Sequence, residues 1–89
     1  MTILQTPTFA RAVKRLHPNQ KADLDAAVRL LLEAPEAGEL KKGDLAGIRV
    51  YKFRISNQIT LLAYTYVERI LMFTLLALGA HENFYRDIK

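Results

Sequence analysis

Two basic side chains near the middle of the chain have a spacing that suits a phosphate group. Lys52 and Arg54 are two residues apart in the run 48–55, in which apolar side chains recur at short intervals. If this run forms a strand, the two cations share one face about 7 Å apart, and Tyr51 and Phe53 share the other. Two cations held at that distance bind phosphate and contribute little to a core. The pair therefore predicts a phosphate-bearing partner.

A second pair of candidate groups lies near the C-terminus. His81 and Tyr85 are four residues apart, so they share a face if this segment turns as a helix. Histidine titrates near neutral pH and tyrosine donates or positions a proton, so the pair suits general acid–base catalysis. The structural alternative is that Phe84 and Tyr85 pack this segment onto a sheet while His81 makes a local hydrogen bond. The sequence leaves both interpretations open.

Further basic residues cluster before the central pair. Lys41, Lys42 and Arg49 belong to the same loop and strand as the central pair, and the span 41–54 contains a single acid, Asp44. One interpretation is a solvated sheet face with lysines that guard an exposed edge. The other is a surface for nucleic acid, because we expect the helices to cover the opposite face of the sheet and leave these cations open to a ligand.

Length and composition limit the class of protein. The chain has 89 residues, which predicts one domain spanning 1–89, and its formal net charge is +4. That charge favours an acidic partner such as nucleic acid, an anionic membrane surface or an acidic protein. The absence of cysteine excludes disulfides and thiolate metal sites. Because Glu82 and Asp87 beside His81 are weak evidence for a metal site, we expect neither metal nor cofactor.

The sequence predicts a cytoplasmic protein that does not bind a membrane. Residues 1–7 lack the basic start and the long apolar run of a signal peptide. The longest apolar run, 70–78 with Thr74 inside it, is too short to span a bilayer as a helix.

The N-terminal part predicts two helices joined by a tight break. Thr6 and Pro7 suit the N-cap and the first helical position. Apolar residues then recur at helical spacing until His-Pro-Asn at 17–19 breaks the helix and opens a second one. The second helix ends near Glu33, before a proline. Together they form a hairpin that serves as scaffold.

The remainder predicts a small sheet. Residues 39–47 are loop-like, and the strand with the two cations follows. A turn at 56–58 leads into a strand at 59–66, and a strand over 70–78 is apolar at both parities, which indicates cover on two sides. With a short strand near Ile3, the order is βααβββ. We expect an α+β fold in which a helical hairpin packs on a small, mostly antiparallel, four-stranded sheet.

Two segments resemble a known family. They read Leu-x-Gly-Ile-Arg-Val-Tyr-Lys-Phe-Arg-Ile over 45–55 and Gly-x-His-x-x-x-Tyr-Arg over 79–86. With the order βααβββ, the chain resembles the RelE/ParE superfamily of toxins from bacterial toxin–antitoxin modules over nearly its whole length. The resemblance implies the fold described above and a partner antitoxin that wraps and neutralises the toxin. RelE-like members cut messenger RNA on the ribosome without metal, whereas ParE-like members poison DNA gyrase.

The resemblance also implies site residues. Lys52 and Arg54 fall where RelE-like toxins place a basic pair. His81 falls where members carry arginine or histidine, and Tyr85 falls where the ribonucleases keep tyrosine or phenylalanine. One position departs from the pattern, because Leu61 replaces an arginine in the next strand.

A ribosome-dependent endoribonuclease is therefore the leading hypothesis. Arg54 and Lys52 would stabilise charge on the phosphate, His81 would act as acid or base, and Tyr85 would orient the base or the hydroxyl. The residues expected to hold the RNA backbone are Lys41, Lys42, Arg49 and Arg86. Two alternatives stay open: a gyrase inhibitor on the same fold, and a non-enzymatic basic module that binds RNA.

Overall fold

Two helices pack on one face of a mixed sheet in the structure, a computed structural model that describes residues 1–80 and Phe84. The helices are α1 (Pro7–Lys14) and α2 (Pro18–Glu33). The strands are β1 (Thr2–Gln5), β2 (Glu39–Leu40), β3 (Arg49–Ile55), β4 (Gln58–Val67) and β5 (Met72–Ala80). None of the described helices is long and apolar enough to cross a membrane. The predicted α+β fold is confirmed.

The helical hairpin starts and breaks where the sequence predicts. Thr6 is the N-cap of α1, because its Oγ1 accepts a hydrogen bond from the Phe9 N–H at 3.1 Å, and Pro7 takes the first helical position. At the break, the His17 N–H donates to Gln20 Oε1 at 2.8 Å at the start of α2. The buried residues of the two helices are Phe9, Leu24, Ala27 and Leu31.

The sheet has one strand more than predicted. Its order is β1-β5-β4-β3-β2, with β1 parallel to β5 and the other pairs antiparallel. The extra strand is β2, in which Glu39 pairs with Val50 and Leu40 pairs with Arg49. The prediction of four strands is wrong because a two-residue strand is too short to show alternation, and glycines surround it in the sequence.

A bulge in β5 explains why this strand is apolar at both parities. Along the β4–β5 ladder, Ala63 pairs with Ala77 and Tyr64 pairs with Leu75, so Leu76 is an extra residue. The side chains that face the helices therefore belong to odd-numbered residues before the bulge and to even-numbered residues after it. The Thr6 hydroxyl donates to the Leu76 carbonyl, which joins the start of α1 to the bulge.

Each face of the sheet carries an apolar cluster. The first cluster lies between the helices and the sheet and includes Phe9, Leu24, Leu31, Ile55, Leu62, Tyr64, Phe73 and Leu75. The second cluster, on the opposite face by strand alternation, consists of Val50, Leu61, Ala63, Ala77 and Phe84. It corrects the expectation that the face with Lys52 is an open basic surface, because the middle of that face is apolar and buried.

Candidate functional site

Lys52 and Arg54 lie on the face of β3 that points away from the helices. Tyr51 and Phe53 alternate with them, pack against the first cluster, and stack with ring centroids 5.7 Å apart. Both cations are exposed. β3 therefore presents two basic groups to solvent, as the alternation predicts.

The hairpin turn anchors the Arg54 side chain. Its Nη1 donates to the Asn57 carbonyl at 3.1 Å. Ser56 and Asn57 have φ values of 48° and 69°, the left-handed conformation that suits both central residues of a two-residue hairpin turn. The Ser56 N–H donates to Asp23 Oδ2 at 2.9 Å, which ties the turn to α2. The guanidinium is thus held in place while its other N–H groups stay available to a ligand.

The strand register determines what lies beside the cations. Lys52 is opposite Leu61, and Arg54 is opposite Ile59. Leu61 is in turn opposite Gly79 on β5 and is only 2% exposed. An arginine, which the resemblance implies at this position, would place a charge in a buried cluster, whereas leucine gives Lys52 an apolar neighbour. A low-dielectric surface beside a cation strengthens its attraction to an anion.

Phe84 covers the second cluster near the end of β5. Its side chain is 1% exposed, and its Cδ1 lies 4.0 Å from the point that a Cβ on Gly79 would occupy. It belongs to the same cluster as Leu61 and Val50. The packing role considered for Phe84 is therefore confirmed, and its side chain lies on the face that carries the cations.

Three predicted site residues lie outside the described part of the chain. They are His81, Tyr85 and Arg86. β5 ends at Ala80, which pairs with Thr60, and His81 is the next residue in the sequence. The assignment of these three residues stays a prediction.

Arg49 belongs to the helix side of the sheet. It has the parity of Tyr51, opposite to that of Lys52. Its Nη1 donates to the Gly38 carbonyl at 2.8 Å and to the Glu36 carbonyl at 3.4 Å. Arg49 thus anchors the segment before β2 and does not join the cation pair. The alternation of side chains along β3 is the sequence signal that places Arg49 and Lys52 on opposite faces.

The two lysines that precede β3 lie beside the β2 edge. The Lys41 N–H donates to the Ile48 carbonyl at 2.9 Å, and its Nζ is 3.3 Å from Glu39 Oε2. Lys42 is exposed. Both positions agree with the alternative in which lysines guard an edge strand. Of the predicted site residues that the structure describes, only Lys52 and Arg54 lie together.

Tyr64 is the second anchor of the segment before β2. Its ring is buried and stacks on Phe73 with centroids 4.9 Å apart. Its hydroxyl donates to the Pro35 carbonyl and accepts from the Gly38 N–H at 2.9 Å. Burial raises the pKa of Tyr64, and the Gly38 hydrogen bond and the Arg49 charge oppose that rise only in part. The hydroxyl is therefore neutral at physiological pH and acts as a structural group.

Tyr64→Phe is expected to lower the free energy of unfolding by about 1–3 kcal/mol, because it leaves the buried Gly38 N–H without its partner. Urea denaturation at neutral pH measures the change. Tyr66→Phe is the matched control, since the Tyr66 ring is half-buried and its hydroxyl has no hydrogen bond within the described residues. Equal stability of the two variants would contradict the anchoring role.

The same residue predicts a dependence of stability on pH. The folded state raises the pKa of Tyr64 above its ordinary value of 10.0. The stabilisation that the neutral hydroxyl contributes is therefore complete below that value and is lost as pH rises through the higher folded-state pKa. Between neutral and strongly alkaline pH, the wild-type protein should lose more stability than Tyr64→Phe.

A match to a protein-family model shows which family the chain belongs to. The model describes the ParE-like toxin of type II bacterial toxin–antitoxin systems and matches residues 3–89. The chain belongs to this family. The predicted membership of the RelE/ParE superfamily is thereby confirmed, and this ParE-like toxin is the toxin of a type II toxin–antitoxin system. No curated protein sequence matches the toxin at a significant level.

Solved structures agree with the fold of this ParE-like toxin. A chain of the intact E. coli RelBE toxin–antitoxin complex matches with a TM-score of 0.73 at 16% identity, over 91% of this chain and 96% of that one. The YoeB/ParE toxin from Agrobacterium tumefaciens matches with a TM-score of 0.73 at 19% identity, over 91% and 99%. The RelBE2 toxin–antitoxin complex from Mycobacterium tuberculosis gives 0.63 at 22% identity, over 90% and 96%.

Two of these three similar structures are complexes of toxin with antitoxin. Membership of a toxin–antitoxin family gives this ParE-like toxin a cognate antitoxin as partner, as predicted. At these sequence identities, the structural likeness supports the fold and leaves the activity to be argued from the site.

Proposed function

We propose that this toxin cleaves messenger RNA on the ribosome without metal. The observation that carries the proposal is the exposed Lys52–Arg54 pair. Within the described residues, neither side chain forms an ion pair with a carboxylate, so both are available to a phosphate. The pair lies beside a buried apolar cluster to which β5 contributes, and β5 leads in sequence to His81.

Cleavage by the neighbouring 2′-hydroxyl needs three contributions from the protein. The 2′ oxygen attacks phosphorus and the bond to the 5′ oxygen breaks, which leaves a 2′,3′-cyclic phosphate and a 5′-hydroxyl. A base removes the 2′ proton, cations stabilise the pentacoordinate phosphate, and an acid protonates the leaving oxygen. Arg54 supplies the charge stabilisation, and Lys52 shares it or takes part in proton transfer.

The proton-transfer roles go to the segment after β5. His81 serves as acid or base because imidazole titrates near neutral pH, and Tyr85 orients the base or the hydroxyl. Phe84 lies between them in the sequence and is buried in the second cluster, which supports a place for both on the cation face.

RNA on either side of the cleaved phosphate must be bound by residues that take no part in the reaction. Lys41, Lys42 and Arg86 hold the RNA backbone through charge, which positions the strand without reading its sequence. Arg49 was predicted to do the same. Since Arg49 donates to the Gly38 carbonyl on the helix side, it reaches RNA only if the strand wraps around the β2 edge.

A gyrase inhibitor without RNA cleavage is the second candidate. Two observations favour it: Leu61 is buried where the RelE-like pattern has an arginine, and the matching family model is ParE-like. With one cation fewer, the cation face would then bind a partner rather than stabilise a transition state.

Induction of the toxin in cells, with genome-wide mapping of transcript 5′ ends and detection of gyrase-trapped DNA breaks, separates the candidates. The RNase proposal expects new 5′-hydroxyl ends inside translated regions and no DNA breaks. Co-expression of the antitoxin is the control that should abolish both signals. DNA breaks with SOS induction and no new RNA ends would support the gyrase candidate. RNA binding without either signal would leave the non-enzymatic module.

A further inference from the structure

Exposed apolar side chains concentrate at one end of the sheet, far from the cation pair. Of the nine large apolar residues that are exposed in the described part of the chain, six lie on β1 or at the β4–β5 connection, which is at the end of the sheet where β1 begins: Met1, Ile3, Leu4, Val67, Ile70 and Leu71. The other three, Leu30, Leu40 and Ile59, are scattered. A concentration of this kind on a soluble protein marks a contact surface.

Within the described residues, no strand pairs with the outer edge of β1. β1 is the terminal strand of the sheet, and all four of its residues are exposed. The Thr2 N–H donates to the Leu71 carbonyl and the Thr6 N–H donates to the Leu75 carbonyl, both at 3.0 Å. Since bonding alternates along a strand, the backbone groups of Ile3 and Gln5 point outward. These groups offer donors and acceptors to a new partner strand.

The β1 edge also lacks the devices that keep exposed edges apart. Residues 1–10 contain no charged side chain, and β1 contains no proline. The opposite edge of the sheet is different, since Glu39, Lys41 and Lys42 lie on β2 or directly after it. Charged side chains on an edge strand oppose pairing with another chain. One edge is therefore guarded and the other is not.

We propose that two copies of this toxin associate through antiparallel pairing of their β1 strands about a two-fold axis at Ile3. Residues that lie opposite each other in such a pair share a face of the sheet, so Ile3 lies opposite the partner subunit's Ile3. Gln5 then lies opposite the partner's Met1, and Leu4 lies opposite the partner's Thr2. This register makes three hydrogen-bonded pairs from outward backbone groups, whereas a register centred on Leu4 would make only two, between Ile3 and the partner's Gln5 and between Gln5 and the partner's Ile3.

Charge argues for a second copy as the occupant of this edge. Each copy carries a net charge of +4, so most approaches between two copies are repulsive. The β1 edge has no charged side chain, and in this register the two Met1 ammonium groups lie four residues apart along the strands, about 14 Å. Two basic molecules therefore meet there without close like charges, and Ile3 packs on its own copy across the two-fold axis. The order of strands leaves β3 three strand spacings away, about 14 Å. Dimerisation therefore leaves the cation pair open in both copies and is independent of the proposed activity.

Charge-swap variants at the two-fold axis test this proposal. The toxin is made in a cell-free system, and its mass is measured by sedimentation equilibrium over a wide range of concentrations. Wild type should reach twice the monomer mass. Ile3→Lys and Ile3→Glu should each stay monomeric, because like charges then meet at the axis, and an equimolar mixture of the two should recover the dimer. Ile3 is 47% exposed, and unchanged thermal unfolding confirms that each variant is folded.

Leu40→Lys is the matched control, since Leu40 is 52% exposed and lies on the β2 edge. This variant should dimerise like wild type. A wild-type chain that stays monomeric at every concentration overturns the proposal and leaves the β1 edge to a strand of the antitoxin. A dimer that survives both single charge substitutions places the interface elsewhere and overturns it equally. Failure of the mixed variants to associate, with both folded, contradicts the register.

Discussion

Arg54→Ala is expected to reduce the rate of mRNA cleavage about 100-fold, the effect of removing one preorganised group that stabilises charge in a transition state. The hydrogen bond to the Asn57 carbonyl holds the guanidinium before the substrate arrives, so little reorganisation is needed when charge develops on the phosphate. The rate is measured in a reconstituted translation system programmed with a single message. Because Arg54 is exposed, thermal unfolding should be nearly unchanged.

Arg69→Ala is the matched control for this experiment. Arg69 is also an exposed arginine, but it lies in the connection between β4 and β5, at the opposite end of these strands from Ile59, which faces Arg54. Its loss removes the same net charge and should leave cleavage within about twofold of wild type, as expected of a cation that makes only long-range, screened contributions. Equal losses in both variants would assign the effect to net charge. Full cleavage by both Arg54→Ala and His81→Ala would remove the proposed site.

Regular alternation and capping made most of the fold predictable from sequence. Thr6 and Pro7 are residue types that favour the start of a helix, so α1 could be predicted from them. Apolar and basic residues alternate in the run 48–55 clearly enough to show which side chains share a face. β2 escaped prediction because two residues have no periodicity. Strand pairing there depends on the Val50 backbone, which lies eleven residues beyond Glu39 in the sequence.

The candidate site was less predictable than the fold, for two physical reasons. The second cluster is assembled from residues on three strands together with Phe84. Alternation puts Leu61 and Ala63 on one face of β4, but no local pattern shows that Ala77 meets them there. The bulge at Leu76 shifts the parity of β5, so alternation counted from one end of this strand gives the wrong face at the other. Exposure of the two cations could be predicted, whereas the apolar surface beside them could not.

Phe84→Ala is expected to lower the free energy of unfolding by about 3 kcal/mol, the cost of removing a buried phenylalanine and leaving a cavity. The side chain is 1% exposed, and the rest of its cluster consists of small or medium side chains that fill the space poorly when the ring is absent. For a domain of this size, that loss lowers Tm by about 12–24 °C. Thermal and urea unfolding measure it, and Phe84→Leu should lose less than about 1.5 kcal/mol because most of the volume is kept.

The same substitution tests whether the second cluster also positions the catalytic segment. Phe84 is three residues after His81 and one before Tyr85. Cleavage by Phe84→Ala should therefore fall even at a temperature where the protein stays folded, and Phe84→Leu should restore most of it. Leu40→Ala, an exposed site, should change stability by less than about 0.5 kcal/mol and leave cleavage unchanged. If Phe84→Ala unfolds at the wild-type temperature, Phe84 is not part of the cooperative core. If it is destabilised but cleaves at the wild-type rate while folded, the cluster stabilises the fold without placing the catalytic groups.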